Sequence, residues 1–161
     1  MDSGTKVVVV GGGGEAGRIH VANLKKCGAV VGNCDFMENP DSDDNFIGKV
    51  PYTEPFAKGY KVAIVALPAR MCFAHCKDMI EAGFERILVE KPGCVDAEEA
   101  QELVSIAEKK GVTVYINYQR TFDPKLGELL AQIKQKSAEG YELEYCSVYS
   151  CDKAYPPQPT Q

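Results

Sequence analysis

The sequence contains no long apolar run, and no segment approaches the roughly 20 apolar residues that a membrane-spanning helix needs. It also contains no basic run and no interleaving of basic and aromatic residues of the kind that binds a phosphate backbone. The formal net charge of -5 comes from 18 basic and 23 acidic residues spread along the chain. We therefore expect neither a membrane nor a nucleic acid as a partner.

The amino terminus lacks the charged leader and apolar stretch of a signal peptide, because residues 1–6 lead directly into a short apolar segment. The seven cysteines are an odd number at irregular spacing, which favours reduced thiols over a disulfide framework. Together these observations predict a cytoplasmic protein.

The composition is that of an ordinary globular protein, with 45% hydrophobic and 25% charged residues in a chain of 161. Domains cluster near about 100–150 residues, so this length allows one complete domain and a fragment of a second. We predict a first domain over residues 1–121 and the partial start of a second, α+β domain over residues 122–161.

Strand and helix patterns alternate along most of the chain. Lys6 to Val10 is a lysine followed by four valines, which is typical of a strand buried on both faces. Apolar residues recur at helical spacing from Glu15 to Cys27, and Gly28 follows as a stop. The pattern predicts further strands over 29–34, 61–67, 86–90 and 112–117, and further helices over 69–82 and 97–110. This alternation indicates an α/β fold with βαβ units on a parallel sheet.

Two segments interrupt that alternation. Residues 38–58 are rich in asparagine, aspartate and proline, which indicates turns and loops, with a short strand as an option from Val50 to Thr53. After Pro124 the pattern predicts a helix and then a strand from Tyr141 to Tyr149. This last strand would arrive without neighbours, so we expect it to be mobile or to pair with another chain as a homo-oligomer.

A glycine-rich loop follows the first strand and fits the dinucleotide-binding pattern G-x-G-x-x-G/A in two registers. One register uses Gly12, Gly14 and Gly17, which we prefer, and the other uses Gly11, Gly13 and Ala16. Glycines at these positions allow a tight turn and let backbone N–H groups approach a pyrophosphate at the helix N-terminus. Because the loop lies between a buried strand and an amphipathic helix, it predicts a Rossmann-type doubly wound sheet that binds NAD or NADP.

Asp35 ends the second predicted strand, where a carboxylate can accept hydrogen bonds from the adenosine ribose hydroxyls. The following residues 36–38 offer no Arg or Lys to receive a 2′-phosphate, so NAD is favoured over NADP. A basic residue could still arrive from elsewhere, for instance Lys49 or Arg70, which keeps NADP open as the less favoured cofactor.

Three further motifs follow the extended glycine motif Gly12-x-Gly14-x-x-Gly17-Arg18-x-His20. They are Ala66-Leu67-Pro68 leading to Ala82-Gly83, the triplet Glu90-Lys91-Pro92, and Arg120-Thr121-Phe122-Asp123-Pro124. In their order and approximate spacing these motifs resemble the glucose-fructose oxidoreductase and inositol dehydrogenase (Gfo/Idh/MocA) family. The resemblance implies hydride transfer between a nicotinamide cofactor and a sugar, polyol or related carbonyl compound.

The resemblance also implies roles for single residues. In that family the lysine of the triplet lies beside the nicotinamide and the reacting oxygen, so Lys91 would be catalytic and Glu90 would contact the cofactor ribose. An ammonium suits this place because it stabilises negative charge that develops on an alkoxide. The resemblance further makes Lys91-Pro92 a candidate cis peptide. The suggested cofactor-binding residues are Gly12, Gly13, Gly14, Glu15, Ala16, Gly17, Asp35, Leu67, Pro68, Glu90, Lys91 and Arg120.

This sequence departs from the family pattern in two respects. Cys72 stands where the family usually has a histidine, which puts a local contact at a helix start in doubt. The family's substrate-binding sheet, with its catalytic Asp and His, would lie beyond residue 161, and His20 and His75 both fall on predicted helices. The alternative is therefore a non-catalytic dinucleotide-binding or interaction module that lacks the substrate domain.

Cys72, His75 and Cys76 could share one helix face and offer three metal ligands. No fourth ligand is evident, so we interpret them as buried cysteines beside a partly exposed histidine and predict no metal site. Cys34 likewise indicates strand packing, since no second cysteine accompanies it in a redox motif.

Overall fold

The computed structural model describes residues 4–48 and 51–142. In chain order, these residues form β1 (Lys6–Val10), α1 (Glu15–Lys26), β2 (Val30–Asp35), β3 (Asp44–Ile47), α2 (Thr53–Ala57), β4 (Val62–Val65), α3 (Ala69–Ala82), β5 (Arg86–Glu90), α4 (Ala97–Lys110), β6 (Thr113–Asn117) and α5 (Pro124–Ala138). A 3-10 turn over Gln119–Phe122 precedes α5.

The six strands form one parallel sheet in the order β3-β2-β1-β4-β5-β6. The order reverses between β1 and β4, and in open sheets of this kind ligands bind outside the carboxyl ends of the strands at such a reversal. The predicted α/β class and the doubly wound parallel sheet are confirmed.

The valines of β1 pack against helices on both faces of the sheet. Val8 and Val10 point into a core shared with α3 and α4. Val7 and Val9 point the other way, into a second core shared with α1. All four valines are at most 3% exposed, and full burial of each side chain contributes about 1.5–3 kcal/mol. Burial on both faces explains why the strand is a continuous apolar run.

The structure corrects the interpretation of residues 38–58 as turns and loops. Residues 44–47 form β3, which pairs with β2 at the sheet edge, with Phe46 opposite Cys34. Phe46 is buried and packs edge-on against Tyr60, whereas Asn45 and Ile47 are exposed. A strand with one fully buried side chain has no apolar run, so its pairing with β2 determines its structure more than its composition does.

The short strand considered from Val50 to Thr53 is also wrong where the structure describes it. Thr53 begins the helix α2, and residues 49 and 50 lie outside the described part of the chain. Pro55 lies in the first turn of α2, where a missing N–H costs no helical hydrogen bond. A proline that indicated a loop therefore lies inside a helix.

The chain separates into two compact units, with the division between Tyr118 and Gln119. The first holds the sheet and α1 to α4, and the described part of the second holds the 3-10 turn and α5. The Asp123 carboxylate caps α5 by accepting from the Lys125 N–H at 2.9 Å. The predicted domain boundary follows residue 121, and the second unit as the start of a substrate domain stays a prediction.

The strand predicted from Tyr141 to Tyr149 lies outside the described residues from position 143 onward. Within residues 4–48 and 51–142, no helix is long and apolar enough to cross a bilayer.

Candidate functional site

The glycine loop lies at the carboxyl end of β1, where close packing leaves no room for a side chain at three positions. A Cβ atom on Gly11 would lie 2.5 Å from the Ala66 carbonyl oxygen, and one on Gly12 would lie 2.4 Å from Asn33 Oδ1. A Cβ on Gly17 would lie 2.0 Å from the Gly11 carbonyl oxygen. These positions therefore accept only glycine unless the surrounding structure shifts.

In the structure, the glycine that makes the turn belongs to one register and the glycine that allows the helix to pack belongs to the other. Gly11 makes the turn with a φ of +83°, and its N–H donates to the Cys34 carbonyl at 3.0 Å. Gly17 allows α1 to pack against the turn, as the third glycine of the preferred register should. Gly14 precedes α1 with an extended backbone, and a Cβ there would meet nothing closer than 3.4 Å. Its side-chain position is open, unlike that of Gly17.

Asp35 reaches back from the end of β2 to the glycine loop. Its Oδ2 accepts from the Gly13 N–H at 2.8 Å, and its Oδ1 accepts from the Phe36 N–H at 2.6 Å. The carboxylate is thus fixed on both oxygens beside the N-terminus of α1, the end of a helix that favours negative charge.

A network of three asparagines supports the loop, and sequence reasoning missed it. Asn39 Nδ2 donates to the Gly12 carbonyl at 2.8 Å, while Asn33 Nδ2 donates to the Met37 carbonyl and to Asn45 Oδ1, each at 2.8 Å. Asn33 is 0% and Asn39 2% exposed. The available signal was Asn33 itself, an amide in an otherwise apolar strand shortly before Asp35.

A cavity of about 570 Å³ opens beside Asp35. Met71, His75 and Asp78 of α3 line one wall at helical spacing, and Leu67 lines it near the glycine loop. Pro68 precedes α3 and is exposed. The cavity adjoins the glycine loop and the end of β2, so a ligand on the loop can extend into it.

The histidine in this cavity favours its neutral form. Burial lowers the pKa of His75 from its ordinary value of 6.5, although the nearby Asp78 carboxylate opposes the shift. The His75 Nδ1 forms a hydrogen bond with the Tyr52 hydroxyl, which comes from the segment before α2. Burial also raises the pKa of Tyr52, with further contributions from Cys34 and Asp78.

Glu90 and Lys91 lie at the carboxyl end of β5, two strands from β1. Lys91 is exposed, and its peptide bond to Pro92 is cis, which confirms the prediction. Glu90 Oε1 accepts from Asn117 Nδ2 and meets His20 Nε2, both at 2.7 Å. Burial raises the pKa of Glu90, but the hydrogen bonds from Asn117 and His20 outweigh it and hold the pKa below its ordinary range.

The structure brings several of the predicted site residues together within the first compact unit. Residues 12–17 of the loop, Asp35 and Leu67 meet at one edge of the sheet, and α1 connects this edge to Glu90 through His20. Arg120 lies in the second compact unit, in the exposed 3-10 turn. The cofactor contact of Arg120 stays a prediction.

The buried cysteines pack in the core, where burial favours the neutral thiol. Desolvation raises the pKa of Cys34 to about 11 and that of Cys76 to about 12. The Cys72 thiol donates to the Leu67 carbonyl at 3.4 Å, a contact at the N-terminus of α3. Across the described ranges 4–48 and 51–142, no group of three potential ligands is placed to hold a metal ion.

A glycine turn between a buried strand and a helix, with a carboxylate at the end of the next strand, defines the dinucleotide-binding class of doubly wound α/β domains. The chain belongs to the oxidoreductase family GFO_IDH_MocA, with an NAD-binding Rossmann fold, and the family model matches residues 5–118. This confirms the family that the motifs indicated.

Comparison with individual proteins gives a partial match in sequence and a fuller match in structure. A stretch of 77 residues is 34% identical to the uncharacterized oxidoreductase YfiI of Bacillus subtilis strain 168, covering 48% of this chain and 19% of that protein. The WlbA dehydrogenase from Chromobacterium violaceum, solved with NADH and UDP-GlcNAcA, has a TM-score of 0.71 at 21% identity over 84% of this chain and 41% of its own.

The scyllo-inositol dehydrogenase from Lactobacillus casei, solved with NAD(H) and scyllo-inositol, has a TM-score of 0.71 at 14% identity. That match covers 83% of this chain and 42% of the dehydrogenase. At such identities the likeness shows the fold. The chain spans less than half the length of either solved structure.

Proposed function

We propose that this chain is the cofactor domain of a dehydrogenase that uses NAD and transfers hydride to or from a sugar, polyol or related carbonyl compound. The glycine loop carries the proposal, because Gly11 and Gly17 form a tight turn directly before α1, and the side-chain position of Gly14 at the start of that helix is open. Membership of an oxidoreductase family supports the reaction class. One solved relative holds UDP-GlcNAcA and another holds scyllo-inositol, which supports the substrate class.

The described residues fit the cofactor. The pyrophosphate would lie at the start of α1, where the first N–H groups of a helix have no partner within the helix and an anion is stabilised. Asp35 would accept from the adenosine ribose hydroxyls, and the adenine would enter the cavity beside Leu67 and Met71. When bound, the nicotinamide ring supplies the site that takes up or releases hydride.

The charges around the cavity favour NAD over NADP. Asp35, Asp78 and Glu81 line it, and no Lys or Arg is among its described lining residues. Arg70 lies at the start of α3 as an exposed side chain, and Lys49 lies outside the described residues. Among the described lining residues, a 2′-phosphate would therefore meet carboxylates and no cation, which costs binding free energy.

Lys91 is the residue we propose as catalytic. Its exposed ammonium at the carboxyl end of β5 would stand beside the reacting oxygen, where it stabilises developing negative charge and can exchange a proton. Glu90 would accept from the second ribose of the cofactor and hold the triplet in place.

Titration of the chain with NADH, followed by fluorescence or calorimetry, tests the proposed cofactor. Gly14→Val is the decisive variant, because a Cβ atom fits at this extended position and a branched side chain there would block the pyrophosphate. We expect saturable binding that Gly14→Val abolishes. Gly127→Val on α5, where a Cβ meets no neighbour, is the matched control and should bind NADH normally. Unchanged affinity in Gly14→Val would reject the site.

A second candidate is a module that binds the dinucleotide without turnover. The observation that favours it is the placement of the two histidines of the chain, since His20 bonds to Glu90 and His75 bonds to Tyr52. Neither is placed as the acid or base that the family resemblance assigns to residues beyond this sequence. Turnover in a dehydrogenase assay over a panel of sugars and polyols would reject this second candidate, whereas absence of turnover in the 161-residue chain is expected of both candidates.

A further inference from the structure

The contact between His20 and Glu90 joins the glycine-loop helix to the strand that carries Lys91. His20 lies in the second turn of α1, which begins at Glu15, and Glu90 ends β5. The two residues are 70 positions apart in sequence, yet Nε2 and Oε1 are 2.7 Å apart. Their side chains are only 16% and 18% exposed, so the contact is largely shielded from solvent.

Asn117 completes the arrangement from the neighbouring strand. It lies opposite Glu90 in the register of β5 and β6, and its Nδ2 donates to the same Oε1 atom at 2.7 Å. Two donors from separate elements thus converge on one carboxylate oxygen, and Oε2 is the oxygen that takes neither of these bonds. A glutamate side chain held in this way has lost the rotational freedom that it has in water.

We propose that His20 and Asn117 are positioning residues that hold the Glu90 carboxylate ready for the second ribose of the cofactor. The inference rests on the proposed function, because it concerns the nicotinamide half of the same dinucleotide. Fixing the acceptor before the ligand arrives lowers the ordering cost of binding. The pyrophosphate and adenosine contacts belong to the glycine loop and Asp35, so they do not depend on this arrangement.

The hydrogen bond needs a proton on His20 Nε2. Both the imidazolium and the neutral tautomer protonated at Nε2 supply one, so the bond does not require a charged histidine. Glutamine can place an amide N–H near the same position, which makes His20→Gln the conservative variant, whereas His20→Ala removes the donor.

The test compares the affinities of NADH and ADP for the full chain. ADP has the adenosine and pyrophosphate contacts but lacks the second ribose, so it reports on the glycine loop and Asp35. We expect His20→Ala to weaken NADH roughly tenfold, as loss of a hydrogen bond to a charged group predicts, and to leave ADP unchanged. His20→Gln should restore most of the NADH affinity. Asn23→Ala, an exposed change on the same helix, is the control and should alter neither ligand.

Parallel weakening of NADH and ADP in His20→Ala would overturn the proposal, because it would show a general structural role. Unchanged NADH affinity in both His20→Ala and Asn117→Ala would also overturn it. If His20→Ala does not fold, Asn117→Ala carries the same expectation of weaker NADH and unchanged ADP. Failure of the unaltered chain to bind either nucleotide would instead overturn the proposed function, and this inference with it.

Discussion

On the proposed function, Asp35 is the residue on which we expect cofactor preference to depend most directly. Backbone N–H groups of Gly13 and Phe36 fix its two oxygens, so the carboxylate has a defined direction before any ligand binds. We predict that Asp35→Ala weakens NADH by about 1.5–3 kcal/mol, the value of a hydrogen bond to a charged group. NADPH should lose less binding free energy, because the variant also removes the repulsion between the Asp35 carboxylate and the 2′-phosphate.

Calorimetric titration of both cofactors measures this prediction. Glu38→Ala is the matched control, since it removes an exposed carboxylate from the same segment. Loss of the Gly13 contact can weaken both cofactors, so the ratio of the two affinities is the informative quantity. An equal loss for NADH and NADPH would contradict the role of Asp35.

His75 gives the stability of the fold a pH dependence. Its pKa in the folded chain lies below the ordinary value of 6.5, so the unfolded chain binds the proton more readily. The contribution of His75 to the free energy of unfolding should therefore be complete above pH 6.5 and decrease as the pH falls below it. Protonation would also disturb the hydrogen bond between Nδ1 and Tyr52.

We predict that His75→Gln flattens this dependence, which denaturant unfolding at a series of pH values would measure. Arg70→Gln removes an exposed charge from the same helix and should keep the slope of the unaltered chain. The same slope in His75→Gln and the unaltered chain would show that other groups cause it.

At the scale of elements, the periodic segments were predictable and the contact-dependent ones were not. β1, α3, β5 and α4 have the bounds that the sequence predicted, because their apolar spacing alone specifies which face is buried. β3 depends on its pairing with β2, and α2 contains a proline in its first turn, so local composition was misleading for both.

The candidate site likewise has a part that the local sequence predicted and a part that it did not. The glycine loop and Asp35 follow from local spacing between a strand and a helix. The bond between His20 and Glu90 joins residues 70 positions apart, and the asparagine network joins β2 to β3 and to the segment between them. Such contacts exist only once the strands have taken their order in the sheet, so no local pattern specifies them.

Asn39 ties the segment between β2 and β3 to the glycine loop. Its side chain is 2% exposed and donates to the Gly12 carbonyl. We predict that Asn39→Ala lowers the free energy of unfolding by about 1–3 kcal/mol, because the buried carbonyl loses its donor. NADH affinity should fall as well, since the loop is less well fixed.

Denaturant unfolding and NADH titration measure the two effects. Gln101→Ala on the exposed face of α4 is the control and should change neither. Unchanged stability in Asn39→Ala would show that the Gly12 carbonyl finds another donor.

For the whole molecule, we predict that the 161-residue chain binds NADH but has no measurable sugar or polyol dehydrogenase activity. The solved relatives are more than twice as long as the part that this chain matches, and the family resemblance assigns a catalytic Asp and His to residues beyond position 161. A dehydrogenase screen measures the activity, and an NADH titration of the same sample measures the binding and is the positive control. Robust turnover would contradict the prediction and show that Lys91 and the other residues of this chain are sufficient for catalysis. Light scattering on the same sample tests self-association through residues 141–149, which is one of the two outcomes that we expect for this segment.

The close approach of Gly17 to the Gly11 carbonyl limits which mutations of codon 17 the fold accepts. Every single-nucleotide change that exchanges glycine for another amino acid introduces a Cβ atom, and that atom would lie 2.0 Å from a backbone oxygen. Even alanine, the smallest replacement, therefore does not fit at position 17. Position 14, directly before α1, has space for that atom. On the proposed function, variation at codon 14 is thus limited by the ligand, whereas variation at codon 17 is limited by the fold.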